Sequence, residues 1–246
     1  MSVKTENING NETRLSFGEH LEELRKRIIY CVIAIIFCFG ICWFFKTTIL
    51  LIAKRPHLIA MGKFGLTSNL QVLSYQEGFY AYMKLCFISA IFFAYPIIMY
   101  QIWKFISPGL YKKEQKYYLL FMLVSFFAFI IGISFGYFCL IPIGLQFLIG
   151  ILGPGIAPVI TMGQYISFVF MLTISLGLVF QLPLIMLLLT KTGMFNVEKF
   201  ISWRKYAILS AFIIGAVITP SPDPFSQITA AAPIIALYEA GIIAAK

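Results

Sequence analysis

Charge is scarce along this chain. Only 12% of its 246 residues are Asp, Glu, Lys or Arg, while 60% are hydrophobic, and the mean hydropathy is +0.89. That composition excludes a soluble globule and describes a chain that crosses a membrane several times. Histidine is almost missing. His20 and His57 are the only two, and the topology below puts them on opposite sides of the membrane, so no Ser-His-Asp set can assemble. The five cysteines (Cys31, Cys38, Cys42, Cys86 and Cys139) lie in or beside apolar runs, and no pair has C-x-x-C spacing. They are expected to pack as free thiols, with no disulfide and no metal. A phosphate cradle is lacking too, because the one Gly-Lys pair, Gly62-Lys63, has no glycine five residues ahead of it. The chain is therefore not expected to be an enzyme or to hold a cofactor.

The formal net charge of +9 would suit nucleic acid if the cations formed one patch. They sit instead in short segments between apolar runs, which is the signature of membrane topology, and no nucleic-acid partner is expected. Residues 1–15 are polar with mixed charge. They lack the basic start and apolar core of a signal peptide and read as a flexible cytoplasmic tail.

From residue 16 to 246 the pattern predicts a single all-α polytopic membrane domain of six transmembrane helices, at about 28–46, 79–103, 117–147, 164–190, 206–219 and 226–245. The third run is too long for an untilted span and is expected to tilt or emerge near Pro142. The fourth holds Gln181-Leu182-Pro183 at its middle. The fifth offers about fourteen apolar residues, roughly 21 Å of helix against a hydrocarbon core of roughly 30 Å, so spans five and six should thin the bilayer locally. Basic residues concentrate before span one, between spans two and three, and between spans four and five. On the other side only Lys54, Arg55 and Lys63 appear, all in the first loop. The positive-inside rule then puts both termini in the cytoplasm.

The water-facing stretch Ser16-Phe17-Gly18-Glu19-His20-Leu21-Glu22-Glu23-Leu24-Arg25-Lys26-Arg27 precedes the first span. Ser16 and Glu19 have capping-box spacing, so a helix should start there. Glu22 with Lys26, and Glu23 with Arg27, stand four apart and can pair. One reading is a solvated anchor helix. A sharper one joins Glu23 to Glu114, in the basic loop after span two, as two carboxylates suited to arginines of another chain. A guanidinium pairs bidentately with a carboxylate where an ammonium cannot. Lys84, Gln181, Gln227 and Glu239 interrupt apolar runs, where polar groups are costly and often functional. Lys84 and Glu239 can reach an interface; Gln181, beside a kinking proline, should face protein or water.

HLEELRKRI (His20 to Ile28), YQIWKFISPGLYKKE (Tyr100 to Glu114), YISFVF (Tyr165 to Phe170), FQLPL (Phe180 to Leu184) and TPSPDPFSQ (Thr219 to Gln227), in that order, resemble the TatC family. Its members are the signal-peptide receptor and core subunit of the twin-arginine protein translocase. The resemblance spans about residues 16–243. It implies a bacterial inner-membrane protein with a concave, polar-lined face that binds twin-arginine signal peptides of folded proteins in the cytoplasm and uses the proton-motive force. Glu23 and Glu114 match the two acidic positions that read the arginine pair. His20, Leu21, Arg25, Phe105, Pro108, Leu110 and Tyr111 match the patch around them. Gln181 matches a position in the concave face where members carry Glu or Gln; as an amide it cannot titrate. Pro56, Asp223, Phe225 and Gln227 match positions tied to assembly and to the single-span partners TatA and TatB, although the hairpin at Pro220-Ser221-Pro222-Asp223-Pro224 holds an extra residue. Self-association is implied as well. Two rivals stand beside this reading. A small-solute or ion secondary transporter would show repeated half-chains with matched broken helices, and none is visible. A purely structural scaffold would need neither carboxylate.

Overall fold

Lipid offers no partner to a backbone N–H or C=O, so the apolar runs must satisfy their own hydrogen bonds and fold as helices. The computed structural model describes residues 17–66, 69–106, 118–153, 156, 158–219 and 223–246. In chain order the elements are α1 (Phe17–Phe44), α2 (Lys46–Ala53), α3 (Arg55–Lys63), α4 (Tyr75–Ile106), α5 (Tyr118–Phe135), a π-helical turn (Gly136–Leu140), α6 (Ile141–Ile151), α7 (Met162–Val179), α8 (Leu182–Lys191), α9 (Val197–Ser202), α10 (Arg204–Ile218) and α11 (Pro224–Ala245). Five helical segments are long and apolar enough to cross a membrane: Leu21–Phe44, Tyr75–Phe105, Leu119–Ile151, Met162–Lys191 and Pro224–Ala245. α10, at 15 residues, is about 22 Å long. The molecule is an all-α, multi-span membrane protein.

The long third run is broken where proline requires it. Pro142 has no N–H, so the carbonyl four residues back loses its α-helical partner. The chain absorbs this by widening one turn, with the Ile141 N–H bonding to Gly136 O five residues back. The irregular turn therefore begins six residues before Pro142. Pro183 similarly opens the fourth run. α7 stops at Val179 and α8 restarts at Leu182 with the proline in its first turn, a position that needs no N–H donor.

α1 lies along α4, α4 and α5 flank α7, and α8 packs on α11, which pairs with α10. Helices in lipid approach closely where residues are small. Gly132 of α5 faces α7 so closely that a β-carbon there would stand 2.8 Å from Leu176 O and 3.0 Å from Gly177 Cα. On α7, a β-carbon at Gly177 would stand 2.6 Å from the ring of Phe129. That ring is itself stacked face to face on Tyr95, centroids 3.5 Å apart.

The loops at the end of the bundle remote from Phe17 are tied together. Gln71 and Thr161 form an isolated parallel bridge, through Gln71 N–H to Ile160 O (3.1 Å) and Met162 N–H to Gln71 O (2.8 Å). Glu77, in the first turn of α4, accepts from Leu73 N–H (2.9 Å) and from Gly163 N–H (3.1 Å). Two tyrosines reach carbonyls in the last turn of α2. Tyr137 donates to Ile52 O at 2.5 Å and Tyr165 to Ala53 O at 2.7 Å.

His57 of α3 is buried under this layer, its ring tilted over Tyr165 at 5.3 Å. Neither ring nitrogen has a hydrogen-bond partner among the described residues, and burial pushes the imidazole below its ordinary pKa. The neutral form is thus the folded form. The unfolded chain takes up a proton that the folded site resists, so stability is full above the ordinary value near 6.5 and falls as pH drops below it. Thermal unfolding in detergent should therefore show a lower midpoint at pH 5 than at pH 7.5, and His57→Leu should narrow that difference.

Candidate functional site

The first two turns of α1 place acids ahead of bases, as the helix dipole prefers. The i,i+4 spacing then closes both expected pairs. Glu22 and Lys26 meet at 2.9 Å on the exposed side. Glu23 and Arg27 meet on the side turned toward α4, where their side chains are 28% and 11% exposed. Arg27 puts two donors on a single oxygen, Nε at 3.1 Å from Glu23 Oε1 and Nη2 on the same atom. Its Nη1 points at Gln101 O, 3.5 Å away. Leu21 and Ile28 are each about half exposed. The Glu23–Arg27 pair of this helix thus turns toward the bundle while Leu21 and Ile28 stay open, and Glu22, Arg25 and Lys26 are exposed.

The last turn of α4 completes the site. Trp103 is buried and stacked on Phe121 at 5.3 Å, which fixes the strip carrying Gln101, Lys104 and the half-buried Phe105. Glu23, Lys26, Arg27, Tyr30, Gln101 and Lys104 enclose an open polar recess of about 380 Å³. Arg25 is exposed. Pro108, Leu110, Tyr111 and Glu114 lie outside the described residues, as do the side chain of His20 and the capping box at Ser16 and Glu19.

Gln181 sits in the break between α7 and α8, where a freed backbone leaves room for a side chain to reach across to α5. It is buried, and both ends of its amide are used. Oε1 accepts from Ser125 Oγ at 2.6 Å, and Nε2 donates to Ser125 O at 3.0 Å. Paired polar groups of this kind in membrane proteins are worth on average well under 2 kcal/mol. Gln181→Leu should lower stability by about 1 kcal/mol, read as a drop in the detergent unfolding midpoint. A double-mutant cycle with Ser125→Ala should recover as coupling only the share of the hydroxyl bond, because the bond to the Ser125 carbonyl survives in Ser125→Ala.

At the start of α11, Asp223 caps the helix by accepting from Ser226 N–H at 2.7 Å. Phe225 stacks on Phe147 of α6 at 3.9 Å, and Gln227 donates to Phe212 O of α10 at 3.1 Å. Pro56 is buried in the first turn of α3, which packs on α6. Of the other interrupting charges, Lys84 donates to Ser167 Oγ at 3.0 Å, and Glu239 pairs with Arg204 at 2.7 Å. A second recess of about 380 Å³, almost wholly apolar, opens between α2, α4, α5 and α7 and is lined by Ile49, Leu85, Phe92, Phe129, Tyr137 and Val169 among others.

The sequence did not point to Gln101, Ser125 or Glu77. Each acts through a partner 56 to 86 residues away in the chain, and no local pattern encodes such a pairing. Gly132-x-x-x-Gly136 was the one readable sign of the α5–α7 contact.

The family profile described as Sec-independent protein translocase protein (TatC) matches residues 19–233. A Sec-independent protein translocase protein TatC of Koribacter versatilis is 39% identical over 91% of this chain and 82% of its own length. That of Carboxydothermus hydrogenoformans is 39% identical over 94% of this chain and 93% of its own. A crystal structure of the twin arginine translocase receptor TatC in DDM superposes with a TM-score of 0.84 at 36% identity, covering 93% of this chain and all of that one.

Proposed function

The chain belongs to the TatC family of Sec-independent protein translocase proteins, and on that premise we propose that it is the receptor for twin-arginine signal peptides, with Glu23 as the carboxylate that receives one of the two arginines. The observation that carries this reading is the Glu23 carboxylate beside a polar recess, already bonded to a guanidinium. A site whose geometry suits one arginine suits another, and its charge-assisted hydrogen bonds are among the stronger kind. Glu114 supplies the second carboxylate. His20, Leu21, Arg25, Phe105, Pro108, Leu110 and Tyr111 form the surround that holds the signal's backbone and flanks. The basic segments put this face and both termini in the cytoplasm, in a bacterial inner membrane crossed six times.

With the arginines held, the apolar part of the signal moves into lipid along the recess between α4, α5 and α7. Gln181 keeps the broken fourth span joined to α5, so that this wall stays formed. Pro56, Asp223, Phe225 and Gln227, at the opposite end, are the contact points for TatA- and TatB-type single-span subunits. The 15-residue α10 beside them favours thin bilayer. The chain does no covalent chemistry; it binds and positions.

Photo-crosslinking tests the reading. A twin-arginine signal peptide with a probe beside its arginines should crosslink to membranes containing the wild type and lose most of that yield with Glu23→Ala, with Glu114→Ala, or when the peptide carries Lys-Lys. Unchanged crosslinks in all three would return the carboxylates to the role of solvated charges.

A further inference from the structure

Among the described residues, Arg27 is the one side chain that already occupies the acceptor assigned to the signal. Both of its donors fall on Oε1 of Glu23, and among the described residues Oε2 has no partner. A bidentate guanidinium–carboxylate fork needs both oxygens. A second arginine can therefore approach at Oε2 but completes its fork only if Arg27 gives up Oε1. The surroundings allow that exchange. Glu23 is the more open of the two side chains, Gln101 O stands 3.5 Å from Arg27 Nη1 as an alternative acceptor, and the recess lies alongside.

Charge makes the exchange a filter. Among the described residues that line the recess, three cations (Lys26, Arg27, Lys104) face one carboxylate, Glu23, and Lys26 is bound to Glu22 outside it. Against these described residues, a cation that arrives without displacing anything meets net positive charge. A guanidinium that displaces Arg27 conserves the planar hydrogen-bonding pattern. An ammonium is a point charge that cannot form the fork, so it gains less from the same displacement.

We infer that Arg27 is a specificity-determining residue, an internal competitor for Glu23 that raises the threshold for binding and admits arginine in preference to lysine. This rests on the proposed role of Glu23. Its consequence runs opposite to that of a supporting residue: removing Arg27 should improve binding and blunt discrimination.

The experiment measures the affinity of a fluorescent twin-arginine signal peptide, and of its Lys-Lys counterpart, for the full-length protein in lipid nanodiscs. The proteins compared are wild type, Arg27→Gln, Arg27→Lys and Glu23→Gln. Arg27→Gln should bind the Arg-Arg peptide about three- to tenfold tighter, the scale of an i,i+4 ion pair strengthened by partial burial. It should gain more for Lys-Lys, so the Arg-Arg to Lys-Lys affinity ratio falls. Arg27→Lys, which keeps the charge and loses the two-donor contact on Oε1, should fall between. Weaker Arg-Arg binding or an unchanged ratio in Arg27→Gln overturns the inference. A merely structural role for Arg27 would lower the unfolding midpoint and leave the ratio alone. Should Arg27→Gln fail to fold, Arg27→Lys decides on the same ratio. Loss of binding in Glu23→Gln with no gain in Arg27→Gln sinks this inference alone, whereas intact binding in Glu23→Gln sinks the recognition reading and this one together.

Discussion

Gly132→Val is expected to yield no stable protein, and Gly132→Ala to lose about 2–3 kcal/mol, the upper range for an overpacked contact. The neighbours explain the size of the effect. An added β-carbon would meet Leu176 O at 2.8 Å and Gly177 Cα at 3.0 Å. These are backbone atoms that no rotamer change can move, so α5 and α7 would have to separate. Gly177→Ala should rank beside it, because its β-carbon would strike Phe129 at 2.6 Å, and that ring is held by the Tyr95 stack. Gly136→Ala should be far milder, since its nearest contact, 2.9 Å, is the tip of the Leu176 side chain, which can turn. Unfolding midpoints in one detergent, ranked across the three alanine variants, check the order. If Gly136→Ala proved as damaging as Gly132→Ala, side-chain crowding rather than backbone contact would be the controlling feature. A separation of α5 from α7 would also strain the Gln181–Ser125 pair, which ties α5 to the break just after α7.

The second large effect concerns binding. Glu23→Gln should cut the affinity for a twin-arginine signal peptide by at least about a hundredfold, or roughly 3 kcal/mol. Two losses combine. The amide accepts only at its single oxygen and carries no charge, so the fork is gone. In addition Arg27, only 11% exposed, is left as an uncompensated cation facing the incoming arginine. The double variant Glu23→Gln/Arg27→Gln separates them: it should regain the part due to repulsion, about tenfold, and stay well below wild type. Titration of a labelled peptide against all four proteins supplies the cycle. A double variant no better than Glu23→Gln would show that repulsion contributes nothing.

Much of this architecture was legible before any coordinates. Apolar length announced an all-α chain of several spans, because a helix is the only way to satisfy a single strand of backbone in lipid. The break at Gln181-Leu182-Pro183 and the i,i+4 pairs at Glu22 and Glu23 were equally local, each decided within one or two turns. The direction of the Glu23–Arg27 pair was not. The spacing says which residues share a face, but only α4 decides that Glu23 and Arg27 turn inward while Leu21 and Ile28 point out. The π-helical turn was hidden as well. Pro142 announces that a bond will be missing, yet whether the chain kinks at the proline or widens a turn upstream depends on how Gly136 fits against α7, where Leu176 Cδ1 would stand 2.9 Å from an added β-carbon. Gln181 was visible as an unusual group; its answer, Ser125, stands 56 residues earlier in the chain with nothing in its surroundings to mark it.

The Glu77 carboxylate sets a schedule for synthesis. Its near partner, Leu73 N–H, is four residues before it, while Gly163 N–H lies 86 residues after it. At about 5–20 residues per second, the ribosome delivers that second donor roughly 4 to 17 seconds after Glu77 itself. For that interval the first half of the protein waits in the membrane with its outer loop unfastened. The Gln71 bridge waits likewise, since its partner strand at Ile160 and Met162 has not yet been made. This layer closes only when α7 arrives, so a nascent chain stalled before α7 lacks both fastenings.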